Sequence, residues 1–224
     1  MLDKISAFYA AYFDIGDRLG ERFYAIWMAV ISIGLLNSGG QVTPGKIAYV
    51  VGVALVVNLS WGVIDGVTVM FTNIIDRVQN DRILYDLRTS RDGKATAAAL
   101  ASLADGIVAA LPEDEQRAIV AQLAATPPGP DPRQRGYRPN RDDWLYAAGI
   151  VGIDVAAVIP VVLPIILITD TDAAIYVSRL IATAIFAVIG ADYARNLNYR
   201  RIPAALLLGG LGFAVFTHAY ATGW

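Results

Sequence analysis

The chain has 224 residues, of which 56% are hydrophobic and 17% are charged, and its formal net charge is −2. A typical soluble domain carries about 25% charged residues, so this composition argues against a soluble globular protein. The sequence contains no cysteine, which excludes disulfides, thiolate catalysis and cysteine-ligated zinc. A slightly negative net charge gives no indication of a nucleic-acid partner.

The first 22 residues alternate apolar and charged side chains, without the uninterrupted apolar core and cleavage site of a signal peptide. We therefore predict that residues 1–22 are retained as an amphipathic cytoplasmic segment. Phe8, Tyr12 and Leu19 would lie on the face toward the membrane interface. The pattern also allows residues 3–20 to extend the following apolar helix as one long amphipathic helix.

Five apolar segments follow, and each is close to the roughly 20 residues that a helix needs to cross a bilayer. The first two fall in residues 23–75. One begins at Phe23 and ends at the glycine pair Gly39–Gly40. The other runs from about Ile47 to Ile75, with Pro44 as a helix-start signal. The composition and these segments predict an all-α, multi-pass membrane protein with five transmembrane helices, whose partner is the lipid bilayer.

A polar stretch, residues 76–143, separates the second segment from the third. Its beginning continues the helical periodicity of the second segment. Two short amphipathic helices broken at Pro112 are predicted next. The stretch "PPGPDPRQRGYRPNRDD" is rich in proline and arginine, so we predict a non-helical linker. Residues 76–143 are thus predicted to form a small helical insert.

The last three apolar segments occupy residues 144–224 and begin at Trp144, Ala173 and Ile202. Pro160 and Pro164 lie inside the third segment, where proline kinks a helix or frees backbone carbonyls. Such a kink either lines a pathway or only bends the helix, and the sequence leaves both possibilities open.

Orientation follows from lysine and arginine. Residues 76–143 contain ten of them, whereas the loops predicted on the opposite side contain only Lys46. The positive-inside rule therefore predicts that the N-terminus and residues 76–143 are cytoplasmic and the C-terminus is outside. An odd number of spans fits this layout.

Two aspartates interrupt the apolar segments. Asp65 lies eleven positions before Asp76, about 16 Å along a helix, and Asp154 lies ten positions after Trp144, about 15 Å. They would reach nearly the same depth, where each ionised carboxylate costs at least ~2.5–3.5 kcal/mol. We predict that Asp65 and Asp154 face a common polar cavity at or near a dimer interface. Asn58, one heptad before Asp65, would complete a site for a proton or a divalent metal cation.

A purely structural role is the alternative, because protonated intramembrane aspartates can also fix helix packing through hydrogen bonds. Gly62 and Gly66 are candidates for a pathway or hinge, although small residues also serve close helix approach. The sequence has one histidine, His218, and shows no P-loop, GxGxxG or HExxH motif. We therefore expect that the protein is not an enzyme and has no nucleic-acid partner. No cofactor is predicted, and a divalent metal ion would be a substrate.

The stretch "WGVIDGVTV" resembles the G-x-x-D-G membrane motif of the vacuolar iron transporter family. "IPVVLPIIL" is similar to that family's proline-punctuated helix. "LIATAIFAVIGADYARNLNYRRIPAALLLGGLGFAVFTHAYATG" is similar to its last two spans. The resemblance implies five spans, a cytoplasmic insert, a homodimer and metal transport through intramembrane carboxylates.

The chain also departs from that family's pattern. The Asp-Gly motif lies in the second span instead of the first, and the methionine–glutamate pair of the family's second span is not found. The insert has only Glu113, Asp114 and Glu115 as an acidic cluster, so we expect it not to bind metal tightly. The resemblance supports the fold and a homodimer more than it supports iron.

Two functions stay open. One is a secondary transporter that moves a divalent cation against protons through Asp65 and Asp154. The other is a non-transporting scaffold that dimerises and presents residues 76–143 to an unidentified cytosolic protein. The ion, the direction of transport and the partner are not predicted.

Overall fold

A computed structural model describes residues 2–37, 42–90, 92–104 and 106–222. Within these ranges the chain forms α-helices, short 3-10 turns and no strand, which confirms the all-α prediction. The glycine pair Gly39–Gly40, the predicted end of the first span, lies outside the described residues. The helices are α1 (Leu2–Tyr12), α2 (Ile15–Gly34), α3 (Pro44–Thr89), α4 (Gly93–Leu103), α5 (Glu113–Ala125), α6 (Arg141–Leu167), α7 (Thr171–Asn196) and α8 (Arg201–Thr222).

The N-terminal region consists of two helices, so the possibility of one continuous helix over residues 3–20 is wrong. The break lies at Asp14, whose backbone is extended and whose side chain accepts a hydrogen bond from the Asp17 backbone N–H at 2.8 Å. An aspartate in this position satisfies a free N–H group of the first turn and starts a new helix. Helix α2 therefore begins at Ile15, eight residues before Phe23.

Helix α3 is a single helix of 46 residues. Pro44 is its first residue, a position where the missing N–H of proline costs nothing. At 1.5 Å per residue the helix is about 69 Å long, more than twice the roughly 30 Å of a bilayer core. The apolar segment and the polar sequence after Asp76 are thus parts of one helix.

Four helices, α3, α6, α7 and α8, are long and apolar enough to cross a membrane. They indicate an integral membrane protein. Helix α2 does not meet the same criterion, because only the 12 residues from Phe23 to Gly34 follow its last charged residue, Arg22. Helix α6 continues through Pro160 and Pro164 without interruption, so neither proline ends the helix.

The chain divides into two compact units, residues 1–68 with 144–224, and residues 69–143. Helix α2 is the most enclosed helix of the first unit, because five of its apolar side chains have no exposed surface. They pack with buried residues of α3, α6, α7 and α8 in one core. The five side chains belong to Ala25, Ile26, Ala29, Val30 and Ile33.

The second unit has its own small core, formed by Leu87, Ala99 and Val120 from α3, α4 and α5. Arg88 supports it by donating a hydrogen bond from Nε to the backbone carbonyl of Leu123, at 3.1 Å. The linker after α5 is non-helical over residues 127–140, apart from one 3-10 turn at Pro132–Gln134. The prediction is wrong for the last three residues of the linker, 141–143, because they form the first turn of α6.

Candidate functional site

Two glycines of α3 allow that helix to approach α6 closely. A Cβ atom at Gly62 would lie 2.8 Å from Asp154 Oδ2 and 3.0 Å from the Val151 Cα. A Cβ atom at Gly66 would lie 2.8 Å from the backbone oxygen of Ala147. Contacts that run forward along α3 and backward along α6 show antiparallel helices. Hydrogen replaces a side chain at both positions, so the backbone of α3 faces Asp154 directly.

Asp154 is completely buried, with no exposed surface. Neither of its carboxyl oxygens receives a hydrogen bond from an N–H or O–H group. Asp65, half-buried on α3, lies close enough to interact electrostatically with it. The structure thus brings together the two aspartates that the sequence placed at similar depth.

A third carboxyl group, that of Glu21 on α2, joins them. It lies close enough to both Asp65 and Asp154 to interact with them electrostatically. Its Oε2 atom is buried and receives no hydrogen bond from a donor group. Glu21, Asp65 and Asp154 are called the carboxyl cluster below. Each member comes from a different helix, so the packing of α2, α3 and α6 assembles the cluster.

Sequence reasoning missed Glu21 because Asp17, Arg18 and Arg22 surround it and mark the region as outside the membrane. One signal could have found it. The apolar stretch that begins at Phe23 gives α2 only 12 residues up to Gly34, several fewer than a span requires. Extending that stretch by two turns toward the N-terminus would have drawn Glu21 into the span.

No basic side chain compensates the negative charge of the carboxyl cluster. In the part of the chain that the structure describes, none of its three members forms an ion pair with lysine or arginine. Buried carboxylates that face one another repel, unless a proton or a cation lies between them. The arrangement is therefore suited to hold a proton, and to exchange it for a positive ion.

The cluster is not a ready-made metal site. Among the described residues, no group of three histidine, cysteine, aspartate or glutamate side chains is arranged to hold a metal ion. A cation bound by Asp65 and Asp154 would need further oxygen ligands, such as water or backbone carbonyls, or a movement of the side chains. A shared proton needs neither.

Asn58 lies on the same helix as Asp65 and is completely buried. Its side-chain amide donates to the backbone carbonyl of Ala54 at 2.8 Å, one turn back on α3. Its carbonyl oxygen is buried and accepts no hydrogen bond. The amide is therefore used within α3, and the carbonyl oxygen is the atom left to bind a donor or a cation.

The two prolines of α6 have different surroundings. Pro160 lines a cavity of about 240 Å³ together with Tyr9, Arg22 and Gly152. Because Pro160 has no N–H, the carbonyl of Ala156, which also lines this cavity, loses its usual helical partner. Pro164 lies one turn further along, and neither proline contributes a charged group to the carboxyl cluster.

Helix α1 and the residue that follows it, Phe13, pack against α6. The Tyr9 hydroxyl donates to the Gly149 backbone carbonyl at 3.4 Å, and the ring of Phe13 stacks on Tyr146 with centroids 4.3 Å apart. The N-terminal helix is therefore held by the protein, in addition to any contact with lipid.

Comparison with known proteins gives no match to the chain, whether against family models, curated proteins or solved structures.

Proposed function

We propose that this protein is a secondary transporter that moves a divalent metal cation in exchange for protons. The observation that carries the proposal is the carboxyl cluster. Three acids from three helices converge at Asp154, which is fully buried and has no hydrogen-bond donor. A charge without a partner is costly inside a membrane protein, and intramembrane acids mark ion and proton pathways.

The proposal assigns a role to each group. Asp65, the half-exposed member, exchanges cation and proton with the surroundings. Asp154 is the buried partner, and Glu21 supplies the third negative charge. The resemblance of "WGVIDGVTV" to the vacuolar iron transporter motif supports a metal as the transported ion.

The proposed layout has five spans, a cytoplasmic N-terminus and an extracytoplasmic C-terminus. Two observations support α2 as the fifth span although its apolar part is short. Neighbouring helices cover its apolar residues, so α2 needs less lipid-facing surface than the others. Its Glu21 reaches Asp65 and Asp154, which lie within α3 and α6. The positive-inside rule then places residues 76–143 in the cytoplasm.

We extend the proposal to a homodimer, because the resemblance implies one. A dimer would have to cover part of the exposed apolar surface of α3 in place of lipid. That surface includes Val56, Trp61, Ile64 and Phe71.

The alternative function is a membrane scaffold that presents its cytoplasmic unit to a partner protein. One observation favours it: residues 69–143 form a compact unit with a core of their own. A carboxyl cluster that only fixes helix packing would be compatible with this role.

Proton flux in liposomes separates the two functions. Purified protein is reconstituted with a pH-sensitive dye inside the vesicles, and Mn²⁺, Fe²⁺ or Co²⁺ is added outside. We expect the wild type to move protons only when metal is present, and Asp65→Asn to move none. Asp76→Asn is the matched control, because it removes an exposed aspartate from the same helix outside the cluster.

Flux in Asp65→Asn equal to that of the wild type would exclude the assigned role of the cluster. A wild type that moves no protons with any of the three metals would leave the scaffold as the better account. Size-exclusion chromatography of each variant shows whether a loss of flux reflects loss of the fold.

A further inference from the structure

The cytoplasmic-side unit contains a second cavity, of about 500 Å³, within residues 69–143. This volume lies in the range of ligand-binding clefts, about 300–1,000 Å³. Its wall is formed by α3 and by the linker that precedes α6. The lining residues include Arg77, Asn80, Arg135, Tyr137, Arg138 and Asn140.

Specific contacts hold the linker against α3. The Tyr137 hydroxyl donates to Asp81 at 2.6 Å, and this bond together with burial raises the Tyr137 pKa. Arg77 donates to both oxygens of Asp143, at 2.8 and 2.7 Å. Asp143 also accepts from the Asn140 backbone N–H at 2.7 Å. The cavity is thus a built feature of the unit: Asp81 in its lining accepts from Tyr137, and Asp143 outside the lining pairs with Arg77.

The net charge of the cavity lining is positive. Asp81 keeps its negative charge, because the Tyr137 hydroxyl is neutral, but Arg135 and Arg138 outnumber it. Arg135 and Arg138 are exposed, and in the described part of the chain neither forms an ion pair. The Arg135 guanidinium lies over the Tyr137 ring, 5.3 Å from its centroid, which orients it without neutralising it.

This positive charge is a local feature of the unit. Residues 69–143 as a whole contain ten basic and eleven acidic residues. Residues 132–141, in contrast, contain four arginines and no acid. Two of these arginines, Arg135 and Arg138, line the cavity, whereas Arg133 pairs with Asp86 and Asp131.

The cavity is close in sequence to the predicted membrane boundary on both sides. Arg77 follows the last apolar residue of the α3 span, Ile75, with only Asp76 between them. Arg138 precedes Trp144, where the apolar part of α6 begins, by six positions. Trp144 is 58% exposed, and tryptophan is typical of the membrane–water interface.

We propose that this cavity binds the phosphate of an anionic phospholipid headgroup, with Arg135 and Arg138 as the residues that recognise it. Guanidinium groups bind phosphate oxygens through charge-assisted, bidentate hydrogen bonds. Asn80 and Asn140 line the same cavity and offer side-chain amides to the rest of the headgroup. The site is independent of the carboxyl cluster, and it does not require that the protein transports anything.

Native mass spectrometry of the purified full-length protein tests the proposal. The protein in detergent is titrated with phosphatidylglycerol or with phosphatidylcholine, and bound lipid is counted. We expect phosphatidylglycerol to bind more tightly than phosphatidylcholine. We expect Arg135→Gln/Arg138→Gln to weaken phosphatidylglycerol binding about tenfold, because each basic residue near an anionic lipid adds to the free energy of binding.

The matched control is Arg200→Gln/Arg201→Gln. It removes two exposed arginines from the α7–α8 connection, which is predicted on the same side of the membrane but lies outside the cavity. We expect this variant to keep most of its phosphatidylglycerol affinity. Equal losses in both double variants would show a general charge effect and overturn the proposal.

A second arm separates lipid from free anion. Inorganic phosphate is added to wild-type protein that already holds phosphatidylglycerol, at the concentration at which that lipid saturates the protein. We expect no displacement of the lipid, because the acyl chains add to the affinity of the headgroup. Full displacement by inorganic phosphate would overturn the lipid assignment, as would unchanged lipid binding in Arg135→Gln/Arg138→Gln.

Discussion

The carboxylates of the two compact units lie in different environments. In residues 69–143 several acids pair with arginine: Asp143 binds Arg77, Asp86 binds Arg133 at 2.7 Å, and Glu113 binds Arg117 at 2.6 Å. In the other unit, Asp154 is fully buried and faces other acids, with no donor to either oxygen. The more deeply buried carboxyl group is the one that lacks a partner.

This difference separates structure from function. A buried acid paired with arginine has its charge compensated by its partner, so no further ligand is needed to explain its burial. A buried acid that faces other acids destabilises the fold unless something else occupies the site. This difference is what the proposed ion-binding role of the carboxyl cluster rests on, whereas the pairs of residues 69–143 are explained by structure alone.

The largest expected effect is on transport. Glu21→Gln keeps the size of the side chain and its hydrogen-bonding ability but removes one of the three charges. We expect metal-dependent proton flux to be lost, as for Asp65→Asn, while the control Asp76→Asn retains it. Normal flux in Glu21→Gln would reduce Glu21 to a packing residue and limit the site to the two aspartates.

The next effect concerns the close approach of α3 and α6. In Gly66→Ala the new Cβ would meet the Ala147 backbone at 2.8–3.0 Å, and backbone atoms cannot move aside without separating the helices. We expect a loss of about 1–3 kcal/mol in unfolding free energy, as for other overpacked sites. Denaturant unfolding in detergent measures it.

Gly52→Ala is the control for this experiment, because nothing lies within 4 Å of a Cβ atom at that position of the same helix. We expect it to be neutral or slightly stabilising, since alanine has the higher helix propensity. Equal destabilisation by the two substitutions would show that the α3–α6 contact is not as tight as described.

A smaller effect, with a defined pH dependence, is expected at Asp143. The Arg77 guanidinium lowers the pKa of this carboxyl group, so its stabilising contribution is complete above the unfolded-state value, about 3.9. The contribution is lost as the pH falls through the folded-state pKa. Asp143→Asn should cost about 1 kcal/mol at pH 7, because Arg77 remains partly exposed.

The measurement is the difference in unfolding free energy between wild type and Asp143→Asn at pH 7 and below pH 4. We expect the difference to shrink in acid. Arg117→Gln breaks an exposed pair four residues apart on α5 and should change stability by less than about 0.5 kcal/mol. A difference at Asp143 that grows in acid would contradict the assigned pairing.

The sequence predicted the parts of the fold that depend on helical period and length. The four apolar helices are regular and long, and residue counts along a helix fix depth, so Asp65 and Asp154 could be considered together. The small side chains of Gly62 and Gly66 indicated close packing for the same reason. None of this required knowledge of the neighbouring helices.

What sequence could not predict depends on tertiary packing. Glu21 reads as a surface residue until α2 is enclosed by other helices, since only its neighbours remove it from water. The hydrogen bond from Asn58 to Ala54 is one of several that its amide could form. The amphipathic pattern continues on both sides of Asp14 and does not reveal the helix break there. The break is set by the Asp14 side chain, which caps the first turn of α2.

The central claim is that proton and metal compete for the carboxyl cluster. Proton release on metal binding tests it most directly. Mn²⁺ is added to unbuffered, detergent-solubilised protein near neutral pH, and the released protons are measured with an indicator dye. We predict release from the wild type and none from Asp154→Asn. Metal binding without proton release, or equal release from both proteins, would contradict the account.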